Sequence, residues 1–247
     1  MNAFRSCLSH PLRYDILASL MAQIVEGKSG MSDLSRPSKG EGRASAVRDL
    51  APIIALLALV PLIILYLDAS IRTFILSVQE PPGMMVARWV SAVGYGLLDA
   101  AFAGILMAVG HLMGRPREAV AGRLGLFAVI VGGLSVQLFK RLFCRGRPLT
   151  EVAGQFFAAF PCLGEGYRLI SFPSGHSVTA FALAYVLSRT YPKGSFAFYL
   201  LASMVAFSRV YLASHFLSDV VAGAAAGLLA GWMVCRFAGS QLADARS

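Results

Sequence analysis

The sequence predicts an all-α, polytopic membrane protein built as a bundle of six transmembrane helices, and three observations lead there. Of the 247 residues, 57% are hydrophobic and only 14% charged, a balance that would coat a soluble sphere with apolar patches. Apolar runs close to the ~20 residues that a helix needs to cross a bilayer recur along the chain. The Lys and Arg residues sit between these runs and at their ends rather than in one dense stripe. The formal net charge of +9 therefore points to membrane topology and to anionic headgroups or phosphate, not to nucleic acid.

Residues 1–48 read as a cytoplasmic N-terminal tail. Its one apolar stretch, Leu12 to Val25, is interrupted by Arg13 and Asp15, which excludes both a signal peptide and a span. Leu12, Ile16, Leu17, Leu20, Met21 and Ile24 recur at helical spacing, as an amphipathic helix lying on the membrane or as part of a partly ordered tail. Gly27 to Gly42, rich in Ser, Gly, Pro and Lys, reads as a flexible tether.

The membrane domain is expected at 49–237, with spans at 50–67, 87–110, 122–143, 175–190, 195–213 and 216–236, followed by a short cytoplasmic tail at 238–247. Asp99 and many small residues mark the second span as interior. Gly223, Gly227 and Gly231 form a small-xxx-small ladder in the last span, which lets its backbone approach a neighbour. Six spans put both termini on one side. With that side cytoplasmic, fourteen of the 22 cations lie inside, in accord with the positive-inside rule.

Three polar clusters interrupt the apolar pattern, and on this topology all fall at the outer face. The first is Lys140 with Arg147 and Pro148. The second is Pro173, Ser174, Gly175 and His176, opening the fourth span. The third is Ser208 and Arg209, ending the fifth span, with His215 and Asp219 opening the sixth. Lys140, Arg147 and Arg209 lack a matching excess of carboxylates, so they call for a bound anion. Phosphate fits, because Arg forks match its oxygens and the Ser174–Gly175–His176 turn offers helix N-terminal N–H groups.

His215 and Asp219, four residues apart, are neighbours on one face if the sixth span begins before His215. The carboxylate can hold Nδ1–H and leave Nε2 as a nucleophile on phosphorus. His176, from another helix, can protonate the leaving oxygen and later activate water.

Each part has a plainer reading. Span-end cations can be snorkelling anchors, Ser174 can be a helix N-cap, and His215 with Asp219 can be a structural i,i+4 pair. Two His and an Asp can also bind zinc or manganese, but the surrounding cations would repel the ion, so no metal is expected. His10 and His111 have no cluster around them and read as surface residues.

In this order the clusters resemble the signature of the type 2 phosphatidic acid phosphatase superfamily, K-x6-RP, then PSGH, then SR-x5-H-x3-D. All eleven specified positions are matched, which at roughly 5% each makes a chance match on the order of 10^-14 per placement. The resemblance covers about the C-terminal half of the chain.

It implies a metal- and cofactor-independent phosphatase with His215 as nucleophile, Asp219 as its partner and His176 as general acid. Lys140, Arg147, Ser174, Gly175 and Arg209 would bind phosphate. The membrane branch implies a phosphorylated membrane lipid as substrate, handled at the periplasmic face of a bacterial inner membrane, with no nucleic acid and no obligate protein partner. Lipid A, phosphatidylglycerol phosphate, phosphatidic acid and undecaprenyl diphosphate are all candidate substrates. The vanadate-binding haloperoxidase branch is soluble and does not fit the spans. A lipid phosphotransferase and a non-catalytic transporter of an anionic lipid remain as alternatives, the second leaving the histidines without a purpose.

Of the four cysteines, Cys144 and Cys162 fall at the outer face and Cys7 and Cys235 at the cytoplasmic side. Only the outer two meet an oxidising compartment, where they either form a bridge or remain buried thiols.

Overall fold

The computed structural model describes residues 39–162 and 166–238, with side chains from residue 47 onward. The described residues from Arg43 onward belong to one compact unit. The amphipathic helix expected near residues 12–25, most of the tether, Cys7, His10 and nearly all of the C-terminal tail lie outside the described residues.

Eight α-helices are described: α1 Lys39–Tyr66, α2 Asp68–Val78, α3 Pro81–Val93, α4 Gly96–Leu112, α5 Pro116–Phe143, α6 Gly175–Thr190, α7 Ser195–Tyr211 and α8 Leu217–Phe237. Helix is found at all six expected positions, so the described part is all-α and polytopic. Among the described residues, however, four helices are long and apolar enough to cross a membrane, or five if α3 and α4 count as one broken span. The short one is α6, whose 16 residues are buried along almost their whole length. A helix enclosed by its neighbours does not have to match the bilayer thickness itself.

Three boundaries differ from the expectation. The first helix starts at Lys39, so the end of the expected tether is helical. The second span is two helices bent by 47° around Gly94 and Tyr95; Gly94 closes α3, and Tyr95 in extended conformation caps α4. Helix α2 was not anticipated. Asp68 opens it with a carboxylate in the first turn, where the helix dipole favours negative charge, and it buries Asp68 and Ile75.

The centre of the bundle is α6, which packs against α4, α5, α7 and α8. The glycine ladder of α8 makes the tightest of these junctions. A Cβ at Gly223 would lie 2.6 Å from the Ser174 carbonyl oxygen, and one at Gly227 would lie 2.3 Å from that of Val178. Only glycine lets the two backbones meet this closely. The consequence is positional: the start of α8 and the start of α6 are held together, and both carry signature residues.

Candidate active site

The bundle gathers the three clusters around one cavity of about 490 Å³. Lys140 at the end of α5, Arg147 just beyond it, Gly175 and His176 at the start of α6, Arg209 near the end of α7, and His215 all line it. Ser174 and Asp219 lie directly behind, both buried. The backbone joins them, since Ser174 N donates to the Asp219 carbonyl at 3.0 Å.

The cations are fixed by groups other than carboxylates. Lys140 Nζ donates to the Ile170 carbonyl at 3.0 Å, which leaves two of its three donors. Arg147 donates from Nε to the Tyr167 carbonyl and from Nη1 to that of Ser214, each at 2.7 Å, and its guanidinium lies 3.5 Å over the Tyr167 ring. Burial draws its pKa down to about 10, with Arg209 adding to the fall and Tyr167 opposing it, so it remains a cation at neutral pH. Arg209 Nη1 donates to Ser91 Oγ of α3 at 2.6 Å, while its buried Nε has no partner. Three cations facing one cavity without a carboxylate on them make a site for an anion.

Ser174 sits at the N-cap position of α6 but makes no side-chain cap hydrogen bond, and its buried hydroxyl has no partner. The plain N-cap role is therefore not realised. Gly175 and His176 open the first turn, whose N–H groups have no intrahelical acceptor. They line the cavity, and the positive end of the α6 dipole faces it. The His176 ring lies 5.9 Å from that of Tyr95, at the bend between α3 and α4.

His215 departs from the sequence expectation in one respect. Helix α8 begins at Leu217 with Phe216 as N-cap, so His215 precedes the helix and the face argument does not apply. The pair meets for a different reason. Asp219 is the third helical residue, and its carboxylate turns back over the cap, where Oδ2 accepts Phe216 N at 2.9 Å. The same oxygen lies 3.4 Å from His215 Nδ1 and accepts Ser171 Oγ at 2.5 Å. Arg147 Nη1 is 3.4 Å from Nε2.

A donor at Nε2 and an acceptor at Nδ1 favour the tautomer protonated on Nδ1. Burial holds the His215 pKa down at about 3, with Arg147 and Lys140 acting in the same sense and the Asp219 bond opposing them. The imidazole is thus neutral at physiological pH, with its lone pair at Nε2, on the side of Arg147 Nη1.

One further group escaped the spacing argument, and the two outer cysteines take the first of their two expected states. Arg145 is 2% exposed and contacts Asp68 and Asp219 through opposite ends of its guanidinium. Its partners are 77 and 74 residues away, beyond any local pattern. Cys144, in left-handed conformation at φ 43°, caps α5 and forms a disulfide with Cys162. Cys235 is buried in α8, and His111 is exposed as expected.

The geometry agrees with comparisons to known proteins. Residues 122–242 match the profile of the PAP2 superfamily. The chain is 36% identical over 101 residues to a lipid A 1-phosphatase of Rhizobium johnstonii, covering 41% of each chain. It is 29% identical over 149 residues to a lipid A 4'-phosphatase of Porphyromonas gingivalis, covering 56% of this chain and 62% of that one. The matches thus span less than two thirds of these curated relatives.

Among solved structures, a transmembrane PAP2-type phosphatidylglycerolphosphate phosphatase from Bacillus subtilis superposes with a TM-score of 0.57 at 24% identity, over 78% of this chain and 97% of that one. LpxE of Aquifex aeolicus does so with a TM-score of 0.53 at 22% identity, over 69% and 95%. At these identities the two likenesses establish the fold. All three signature clusters fall inside the matched segment, and the fold brings them to one cavity: residues 122–242 form a PAP2 superfamily domain.

Proposed function

We propose that this protein is a lipid phosphatase that hydrolyses a phosphate monoester or diphosphate of a membrane lipid through a phosphohistidine at His215. The observation that carries the reading is the His215 imidazole lining a cavity that Lys140, Arg147 and Arg209 also line, with Nδ1 3.4 Å from the Asp219 carboxylate. These three cations, the Ser174 hydroxyl and the N–H of Gly175 would hold the phosphoryl oxygens and match the charge that develops in the transition state.

The Nε2 lone pair attacks phosphorus as the bond to the leaving oxygen breaks, and His176 donates a proton to that oxygen. Asp219 stabilises the imidazolium. Water then gives a proton to His176 and attacks phosphorus, the P–N bond breaks, and His215 returns neutral. No step calls for a metal ion.

The rest of the cavity favours a lipid. Leu97 and Ala100 of α4 and Val129, Ile130 and Leu134 of α5 line it below the cations, an apolar wall suited to an acyl or prenyl chain. The curated relatives make lipid A the first substrate to test, followed by phosphatidylglycerol phosphate, phosphatidic acid and undecaprenyl diphosphate.

Counting α3 with α4 as one crossing, and the short enclosed α6 as another beside the four long apolar helices, gives six spans, with both termini cytoplasmic and the site periplasmic in a bacterial inner membrane. The Cys144–Cys162 bridge at the cavity end of α5 supports that orientation, because such bonds persist in oxidising compartments. Phosphate release by the full chain in detergent, measured across these lipids, tests the reading. Release from at least one lipid is expected; release from none would leave a transporter of anionic lipid as the better account.

A further inference from the structure

We propose that Arg145 and Asp68 act as positioning residues, a clamp that fixes the Asp219 carboxylate and through it the His215 ring. The inference rests on the reading of His215 as nucleophile. Arg145 occupies one of the six unspecified positions of the first signature cluster, and Asp68 lies in α2, outside the matched segment 122–242.

The contacts are specific. Arg145 Nη1 donates to Asp219 Oδ1 at 2.5 Å and to Ser218 Oγ at 2.7 Å. Its Nη2 donates to Asp68 Oδ2 at 2.7 Å. The guanidinium lies over the Phe156 and Phe216 rings, 4.7 and 4.2 Å from their centroids. Asp68 closes the other side, accepting Ser218 N at Oδ1 at 3.0 Å and the Ser218 hydroxyl at Oδ2. With Oδ1 of Asp219 taken by Arg145, Oδ2 is left to Ser171, Phe216 N and His215 Nδ1. Rotation of the carboxylate would break the Arg145 bond.

Packing alone does not explain such a cluster. A buried ion triad contributes little or nothing to stability compared with apolar side chains of the same volume. Its charge count has a use instead. One guanidinium shared by two carboxylates leaves one negative charge over, and Asp68 thereby prevents Arg145 from neutralising Asp219 alone. The surplus charge lies next to the imidazole that must become positive.

Other charged groups near His215 are Lys140 of α5, Arg147 beyond it, Arg209 of α7 and His176 of α6, all around the cavity, and Arg72 of α2, which donates to the Pro148 carbonyl at 2.7 Å. Asp68 and Asp219 are the carboxylates that Arg145 contacts within this cationic setting.

The test uses the full chain in detergent as wild type, Asp68→Asn and Arg145→Met. One arm measures kcat and KM for phosphate release from lipid A. The other records 15N ring signals of the histidines without substrate; the chain has four, and His215→Ala identifies the signal of interest. Asp68→Asn and Arg145→Met should each lower kcat by at least about tenfold while KM stays within about threefold, because the phosphate ligands are untouched. In the same variants the His215 ring should pass from the Nδ1–H tautomer to a mixture.

A ring signal unchanged in Asp68→Asn overturns the clamp whatever the rate does, since a merely structural loss would reduce the folded fraction and leave the tautomer alone. An unchanged kcat overturns it as well. If Arg145→Met does not fold, Asp68→Asn decides. If the wild type releases phosphate from no lipid, the proposed function fails while the ring signal still decides the clamp.

Discussion

Replacing Gly227 by alanine adds one methyl group at the tightest point between α8 and α6. The new Cβ would lie 2.3 Å from the Val178 carbonyl oxygen and 3.0 Å from Ala182 N and Phe181 Cβ, where ordinary contact starts at 3.4 Å. Two of these three neighbours are backbone, so no rotamer change relieves the clash, and the helices must separate by about 1 Å. Overpacking of this kind costs about 1–3 kcal/mol, while alanine regains about 1 kcal/mol of helix propensity over glycine. The net loss leaves a folded protein.

The separation acts one turn further along, at Gly223 and the 3.0 Å bond from Ser174 N to the Asp219 carbonyl. Stretched by about 1 Å, that bond is lost, and His215 moves relative to the α6 turn that would hold the phosphate. A displacement of this size costs about 10²-fold in rate. Gly104→Ala, where a Cβ meets nothing within 4 Å, should leave the rate at the wild-type value. The assay pairs kcat for phosphate release with thermal unfolding in the same detergent. A folded Gly227→Ala protein keeping more than about half of the wild-type kcat would refute the link between the ladder and the site.

Other outcomes follow from the same geometry. His215→Ala should abolish turnover in a folded protein, and retention of more than a few per cent of activity would remove the nucleophile assignment. Turnover should persist in excess EDTA and be inhibited by vanadate, which adopts the five-coordinate geometry of the reacting phosphorus; loss in chelator with recovery on adding a divalent ion would contradict the cation-only site. Cys162→Ser opens a loop whose ends are 18 residues apart, for which chain entropy suggests a loss of about 3 kcal/mol, read as a lowered Tm. In intact cells an impermeant thiol reagent should label Cys162 only after reduction and should not label Cys7, and the reverse pattern would invert the topology.

The parts of this architecture that were legible in the sequence are those written in local patterns. The start of α6 coincides with the expected residue because Ser174 and Gly175 change the chain's character there, from loop to apolar run. The motif residues meet at one cavity because each sits at a helix end, and helix ends of alternating direction share a face. Helix α2 is hard to read because Asp68 and Arg72 interrupt the apolar run after residue 67, and Ile71, Phe74 and Ile75 are too few to mark a further span. The bend at Gly94 and Tyr95 was hidden because a continuous apolar stretch fits one long span as well as two short helices.

Arg145 and Asp68 could not be found by spacing, since they pair across 77 residues. The only available signal was a charge in an apolar neighbourhood, and Arg145 was one of several such cations. The sequence pairs His215 with Asp219 on one helical face only if the sixth span begins before His215; the helix begins at Leu217, and the two meet because a capping carboxylate reaches back to a residue before the helix.

The bond from Arg209 to Ser91 bears on how far the signature segment of this chain can be treated as a module. Arg209 belongs to the segment that carries the signature, but Ser91 belongs to α3, before that segment begins. Grafting residues 122–242 onto the first helices of a relative would therefore bring in a guanidinium whose buried partner comes from a different parent. Exchanging halves between relatives to transplant substrate choice should mostly produce mismatched cavities.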